Sequence, residues 1–264
     1  MANEVKDVAK QTSAAVEQPV NNWRRRIRAA GTIAGKSWRR YRASVFQLYL
    51  VGAVIIFVVL AFLAKTVAYF TFDVTITHAI QTVNAGWFDA LMSLLTWIGF
   101  SPASWIISAL VIGFLFVSGL KWEALVTLIS LIGFSLLGLA IKVVVVRPRP
   151  SADLVRVIAQ LNDYSFPSGH VLYFTTFFGF LLFLTYTLVK PVWWRTLLLV
   201  ILSAMIALIG VSRIYEGQHW ASDVLAAYLL GSVLLSINIL VYRWGKPRYF
   251  VNQPVAKETP TQSA

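Results

Sequence analysis

The run Ala124-Leu-Val-Thr-Leu-Ile-Ser-Leu-Ile-Gly-Phe-Ser-Leu-Leu-Gly-Leu-Ala-Ile-Lys142-Val-Val-Val-Val146 decides the fold. No charge interrupts it before Lys142, and Arg147-Pro148-Arg149-Pro150 follows at once. An α-helix of about 20 apolar residues spans a hydrocarbon layer about 30 Å thick, and the two prolines cannot continue one. The run is therefore a membrane-spanning helix that ends in a knot of cations. Five other stretches read the same way: residues 45–70, 103–119, 171–188, 197–211 with an extension into the motif that follows, and 224–242. The expected fold is an all-α polytopic membrane helix bundle with six transmembrane helices. Between the first two spans, residues 79–100 set Trp87, Phe88, Leu91, Leu94, Leu95 and Trp97 among polar residues. That pattern is expected to form an amphipathic interfacial helix.

Composition points the same way. Of 264 residues, 58% are hydrophobic and only 13% charged, against about a quarter charged in an ordinary soluble domain. Mean hydropathy is +0.70. The absence of cysteine excludes disulfides, thiol nucleophiles and thiolate metal sites. The net charge of +12 is concentrated at the front, where residues 1–43 hold ten Lys/Arg against Glu4, Asp7 and Glu17. The chain thus divides into a basic N-terminal tail (1–43), a six-span domain (44–243) and a short C-terminal tail (244–264). The tail's Trp23-Arg24-Arg25-Arg26 and Trp38-Arg39-Arg40-Tyr41-Arg42 suit anionic lipid headgroups; acting only as a topology determinant is the plainer reading. Nucleic acid is not an expected partner. No cleavable signal peptide is expected, because the first span is too long and lies too far into the chain.

With the N-terminus inside, 17 Lys/Arg fall on the inner side and six on the outer: Lys65, Lys142, Arg147, Arg149, Arg156 and Arg213. That asymmetry predicts a multi-pass protein of the cell membrane with both termini cytoplasmic. Most of the outer cations sit in two loops, and those loops hold the residues suited to chemistry.

Three segments share that outer face. Lys142 to Pro150 closes the third span, Tyr164-Ser165-Phe166-Pro167-Ser168-Gly169-His170 opens the fourth, and Ser212-Arg213 with His219 and Asp223 joins the fifth to the sixth. Lys142, Arg149 and Arg213 supply three cations, and the planar arginine fork matches phosphate oxygens. Snorkelling at helix ends explains any one of them equally well, and it is the reading kept for Arg147 and Arg156. Ser168 can cap a helix start, and Gly169 lets backbone N–H groups approach an anion; an ordinary capped loop has the same sequence. His219 and Asp223 stand at i and i+4. In a helix that begins by Gln218 they share one face, and the carboxylate can orient the imidazole for nucleophilic attack. A structural His–Asp pair has the same spacing. His78 lacks acidic or cationic company and is expected to be structural or interfacial.

The three segments in this order resemble the type 2 phosphatidic acid phosphatase superfamily, whose members include membrane lipid phosphatases. The match falls on Lys142, Arg149, Pro150, Pro167, Ser168, Gly169, His170, Ser212, Arg213, His219 and Asp223 and extends over about residues 45–243. The resemblance implies a phosphohistidine intermediate on His219, with Asp223 stabilising it and His170 as general acid. It also implies phosphate held by Lys142, Arg149, Arg213 and the N–H groups near Ser168 and Gly169. No metal or other cofactor is expected, since few carboxylates lie near the motifs and cations can neutralise the phosphate. The short loops place the site near headgroup depth, so the expected partner is a lipid phosphate substrate in the bilayer. By analogy undecaprenyl diphosphate comes first, then phosphatidylglycerol phosphate and phosphatidic acid. A lipid phosphotransferase would carry the same motifs; a transporter would place its charges nearer mid-span.

Overall fold

The computed structural model describes Trp38 and residues 41–249. Most of the basic tail and the end of the C-terminal tail, with the lipid-anchoring role expected of the former, lie outside the described residues. The ordered elements are helices: α1 (Tyr41–Thr66), α2 (Thr71–Gln81), α3 (Gly86–Gly99), α4 (Ala103–Val117), α5 (Lys121–Val145), α6 (Gly169–Tyr173), a π-helical turn (Phe174–Phe178), α7 (Gly179–Leu188), α8 (Trp193–Tyr215) and α9 (Ala221–Tyr249). No strand occurs among the described residues. The chain divides into two units at Gly52/Ala53, a boundary within α1. The described part of the first unit is helical and largely exposed; all that follows concerns the second.

Among the described residues, five helices are long and apolar enough to cross a membrane: α1, α5, the continuous α6–α7 stretch Gly169–Leu188, α8 and α9. A sixth is reached if α3 and α4, bent by 64°, count as one broken span. Four of the expected spans thus lengthen by a few residues at one or both ends, and the expected second span becomes the 15-residue α4. The segment expected as one amphipathic helix over 79–100 is two helices, α2 and α3, with a break between Gln81 and Gly86. Exposed Phe62, Leu110, Phe114, Leu136 and Val143 point outward from the bundle. In a bilayer such exposure carries no hydrophobic cost, because lipid tails are as apolar as the side chains.

Close packing inside the bundle fixes the helix ends that matter. All five residues of the π-helical turn are buried, and Phe174, Phe177 and Phe178 join Met92, Leu95, Ile209 and Tyr215 in the largest core cluster. A π-turn inside an α-helix commonly marks a functional stretch; this one begins four residues after His170. Helix α3 packs along α8. At its start Tyr215 donates from its hydroxyl to the Asp89 carboxylate, and at its middle Ser212 donates to the Met92 carbonyl at 2.7 Å. Helix α2 braces the long loop between α5 and α6. Gln81 donates to the carbonyls of Arg156 (2.7 Å) and Tyr215 (2.9 Å), and His78 Nε2 lies 2.8 Å from the Leu154 carbonyl.

Candidate active site

The C-terminal ends of α3, α5 and α8 and the starts of α6 and α9 meet around one polar cluster. Helix α5 stops because Val146 turns left-handed (φ 58°) just before the two Arg-Pro pairs. That stop places Lys142 and Arg149 together on Asp163. Lys142 Nζ lies 2.6 Å from Asp163 Oδ2 and donates to the Tyr164 carbonyl at 2.7 Å. Arg149 reaches Asp163 Oδ1 through Nη2 at 2.6 Å and Nε at 3.0 Å. Its Nη1 donates to the Gln218 carbonyl at 2.5 Å and lies 3.2 Å from His219 Nε2. Burial alone would push the Asp163 carboxyl up, but the hydrogen bond and charge of Lys142, together with Arg149, hold it down to about 2.

His219 does not begin a helix, as its spacing suggested. Helix α9 starts at Ala221, because the Asp223 carboxylate folds back to accept the Trp220 N–H at 3.0 Å, half of a capping box. The histidine still reaches its partner: His219 Nδ1 lies 3.7 Å from Asp223 Oδ2. This is an ion-pair distance, too long for the expected hydrogen bond. Asp223 is held instead by Arg147 Nη1 at 2.5 Å and by the Ser165 hydroxyl. Burial, then the charges of Arg149, Arg213 and Lys142, holds the His219 imidazole well below its usual range, so the ring is neutral at pH 7. A neutral ring with Nδ1–H toward Asp223 leaves the Nε2 lone pair facing Arg149.

Arg147 corrects the snorkelling assignment. Its side chain has no solvent exposure and bridges two buried carboxylates, Asp223 at 2.5 Å and Asp73 at 2.9 Å. It also donates to the Ser222 hydroxyl at 2.7 Å and the Ala68 carbonyl at 3.0 Å. Asp73, on α2, in turn accepts the Ser222 N–H at 2.8 Å and hydroxyl at 2.9 Å. An ion of either sign at this depth requires such saturation. Arg156 stacks over Tyr215 at 4.7 Å and makes no side-chain contact with the cation cluster.

On the other flank, α3 contributes residues the sequence did not single out. Thr96 accepts from Arg213 Nη1 at 2.7 Å and lies 2.7 Å from the Ser212 hydroxyl. Phe100 packs against both the Arg213 guanidinium (5.4 Å) and the His170 ring (4.7 Å). A Cβ on Gly99 would lie 2.2 Å from His170 Cδ2, so only glycine leaves the ring its place. Ser168 precedes α6 with an extended backbone, yet its hydroxyl makes no cap bond. Several buried polar atoms here have no hydrogen-bond partner: Ser168 Oγ, His170 Nε2, Arg213 Nε and Nη2, Gln218 Oε1 and His219 Nδ1. Buried polar groups are nearly always paired. Among the described residues, those atoms account for six of the ten unpartnered buried side-chain atoms, and donors dominate. Such a concentration suits an oxyanion. No three His, Asp or Glu side chains among the described residues form a group suited to a metal ion.

An apolar cleft of about 230 Å³ opens beside this cluster. It is lined by Lys142, Asp163 and Gly169 at the polar end and by Phe134, Leu139 and Leu172 along the helices.

Comparison with known proteins finds one family model, two relatives and two solved structures similar to this chain. The family model described as PAP2 superfamily matches residues 121–248. Phosphatidylglycerophosphatase B of Bacillus subtilis (strain 168) is 27% identical over 188 residues, 70% of this chain and 90% of that protein. Undecaprenyl-diphosphatase of Sulfolobus acidocaldarius is 39% identical over 85 residues, 32% of this chain and 36% of that protein. The crystal structure of a transmembrane PAP2-type phosphatidylglycerolphosphate phosphatase from Bacillus subtilis superposes with a TM-score of 0.65 at 24% identity, covering 76% of this chain and 98% of that one. That of Aquifex aeolicus LpxE gives 0.53 at 22%, covering 65% and 96%. These two likenesses show a shared fold. The match to the PAP2 superfamily model runs through residues 121–248, which carry every motif residue described above.

Proposed function

We propose that the protein is a membrane lipid phosphatase that hydrolyses a phosphomonoester or diphosphate of a lipid, with His219 as nucleophile and without a metal. The observation that carries this reading is the set of buried, unpartnered donors on Ser168, His170 and Arg213, set beside a neutral histidine and two further cations. Phosphoryl transfer depends on holding three equatorial oxygens and neutralising their charge. Arg213, Lys142 and Arg149, with Ser168 and the N–H groups at Gly169, serve that purpose.

His219 Nε2 attacks phosphorus as the bond to the lipid oxygen breaks. His170, protonated in the complex beside the phosphate's negative charge, gives its proton to the departing oxygen. The phosphorylated ring is an imidazolium whose charge the Asp223 carboxylate stabilises. Water then attacks phosphorus, His170 takes the water's proton, and the electron pair of the N–P bond returns to His219. The apolar cleft running from Lys142 along α5 and α6 supports a lipid leaving group, since it continues the site into the bundle's hydrocarbon depth. The same reading sets the cation cluster at the outer face of the cell membrane, with both termini inside.

The relative matched over most of its length is named for phosphatidylglycerophosphate and the shorter match for undecaprenyl diphosphate. These two, with phosphatidic acid, are the first substrates to test. Purified protein should release phosphate from at least one, with full activity in EDTA and inhibition by vanadate. His219→Ala should abolish turnover and any acid-labile phosphoenzyme. Loss of activity on chelation with recovery in Mg²⁺ would refute the metal-free reading, and a substantially active His219→Ala variant would refute the nucleophile. Transfer of the phosphoryl group to an added lipid acceptor in preference to water would identify a phosphotransferase.

A further inference from the structure

The carboxylate that joins Lys142 to Arg149 has a consequence for substrate choice. Asp163 contacts both cations at 2.6 Å, the geometry in which two phosphate oxygens would bind the same groups. The partners differ in freedom. The side chains of Lys142 and Arg149 are 12% and 11% exposed, whereas that of Asp163 is 56% exposed. Arg149 is further pinned by the Gln218 carbonyl, and Lys142 by the Tyr164 carbonyl. The cations are fixed and the carboxylate, on the loop before Tyr164, is free to swing into solvent. Resting on the proposed function above, we propose that Asp163 is a specificity-determining residue, a tethered anion that competes with the substrate headgroup for Lys142 and Arg149. It yields to the terminal phosphate of a monoester or diphosphate and holds out the phosphodiesters of bulk phospholipid.

Charge and tethering decide that selection. A monoester phosphate carries about −1.5 to −2 at pH 7, so it outbids a single carboxylate for two cations. A phosphodiester carries one charge, the same as Asp163. An exchange then gains no Coulomb energy and forfeits the advantage of a ligand already attached to the chain, whose effective concentration is in the millimolar range or higher. Asp163 remains ionised at every pH where the enzyme would work, because Lys142 and Arg149 outweigh its burial. Displacing it also matters for the chemistry. Arg149 Nη1 rests 3.2 Å from His219 Nε2, so a phosphate that takes the place of Asp163 on Nε and Nη2 of the same fixed guanidinium lies beside the nitrogen proposed to attack it. Most phospholipid in a membrane is diester, so a site without such a competitor would sit occupied by headgroups it cannot cleave.

The test uses the full chain in maltoside micelles and compares wild type with Asp163→Asn and Asp163→Glu. Direct binding of inorganic phosphate should be roughly fivefold tighter in Asp163→Asn, the scale of one or two solvent-facing ion pairs, and near wild type in Asp163→Glu. Added phosphatidylglycerol should displace phosphate from Asp163→Asn at concentrations that leave wild type unaffected. Binding in Asp163→Asn that is unchanged or weaker would overturn the proposal and make Asp163 an organiser of the two cations. Equal displacement by phosphatidylglycerol in all three proteins would overturn the selectivity it assigns. Neither measurement requires turnover. A protein that binds phosphate in this pattern but releases none from any lipid would count against the phosphatase reading and leave the competition intact.

Discussion

Arg147 has two buried carboxylates and a hydroxyl on its guanidinium and no exposed surface. Removing one member of such a group leaves the others charged and unpaired, which costs about 3–5 kcal/mol. Arg147→Met should therefore lower the melting temperature sharply. Arg147→Lys is the more informative change, because an ammonium cannot serve Asp73 and Asp223 together with the planar fork's geometry. It should fold, keep its KM because the cations proposed to hold phosphate are untouched, and lose kcat by up to about 10²-fold as Asp223 shifts away from His219. Steady-state kinetics beside thermal melts separate the two effects; a normal kcat in Arg147→Lys would show that Arg147 only supports the fold. Gly99 gives a second residue-level check. In Gly99→Ala the new methyl must displace the His170 ring, whose Cδ2 would lie 2.2 Å away. On the proposed mechanism His170 protonates the leaving oxygen, so kcat should fall strongly for a lipid alcohol. It should fall much less for p-nitrophenyl phosphate, whose leaving group needs no proton. An equal loss on both substrates would remove the general-acid role from His170.

At the scale of elements, Gly217 shows how the α8–α9 turn is matched to the loop above it. Its φ is +66°, and a Cβ there would lie 2.1 Å from the Arg156 carbonyl oxygen, a backbone atom that cannot give way. The left-handed conformation alone costs a non-glycine residue about 1–2 kcal/mol. Gly217→Ala should lower the melting temperature by several degrees and weaken phosphate binding, because the turn carries Gln218 and His219 to Arg149; an unchanged melt would show that the loop adapts. Spans α5 to α9 were legible in the sequence, since apolar length alone marks a membrane helix. The candidate site was legible as a cluster because its residues lie in short spaced motifs. What escaped was pairing between distant segments. Asp73 meets Arg147 across 74 positions, and nothing in Thr71–Gln81 distinguishes that carboxylate from a surface one. Likewise, the polar residues of α3 suggested the outer face of an amphipathic interfacial helix. Thr96 in fact turns inward to Arg213, a polar group whose partner is another buried polar group. His219 seemed to open a helix because spacing shows periodicity but not that Asp223 spends its carboxylate on the Trp220 N–H.

For the whole molecule, the buried charge cluster couples stability to pH. His219 faces Arg149, Arg213 and Lys142 among the cations and Asp223 and Asp163 among the carboxylates, and the net result, after burial, is an imidazole held well below the usual histidine range. In the unfolded chain the same ring titrates near 6.5. Below that pH the unfolded state therefore binds a proton that the folded state refuses. Stability contributed by keeping His219 neutral is fully present above about 6.5 and is lost as pH falls through it, by at most about 1.4 kcal/mol per pH unit. The loss ends only where the folded ring itself protonates. Asp163 acts at a lower window: its carboxyl is held down to about 2, so its contribution is present above about 4 and is lost as pH falls toward 2. Between pH 6.5 and 5 the Asp163 contribution is thus constant, and comparison with a variant lacking the ring separates the His219 effect from other titrating groups. Melting temperature in micelles should fall across that interval in wild type and fall less in His219→Gln, which keeps a polar side chain of similar size but cannot titrate. The difference between the two proteins isolates His219 from His78 and His170, which both retain. Parallel curves would mean that His219 protonates as readily in the folded protein as in the unfolded one, and the neutral nucleophile that the proposed mechanism requires would be lost at mildly acidic pH.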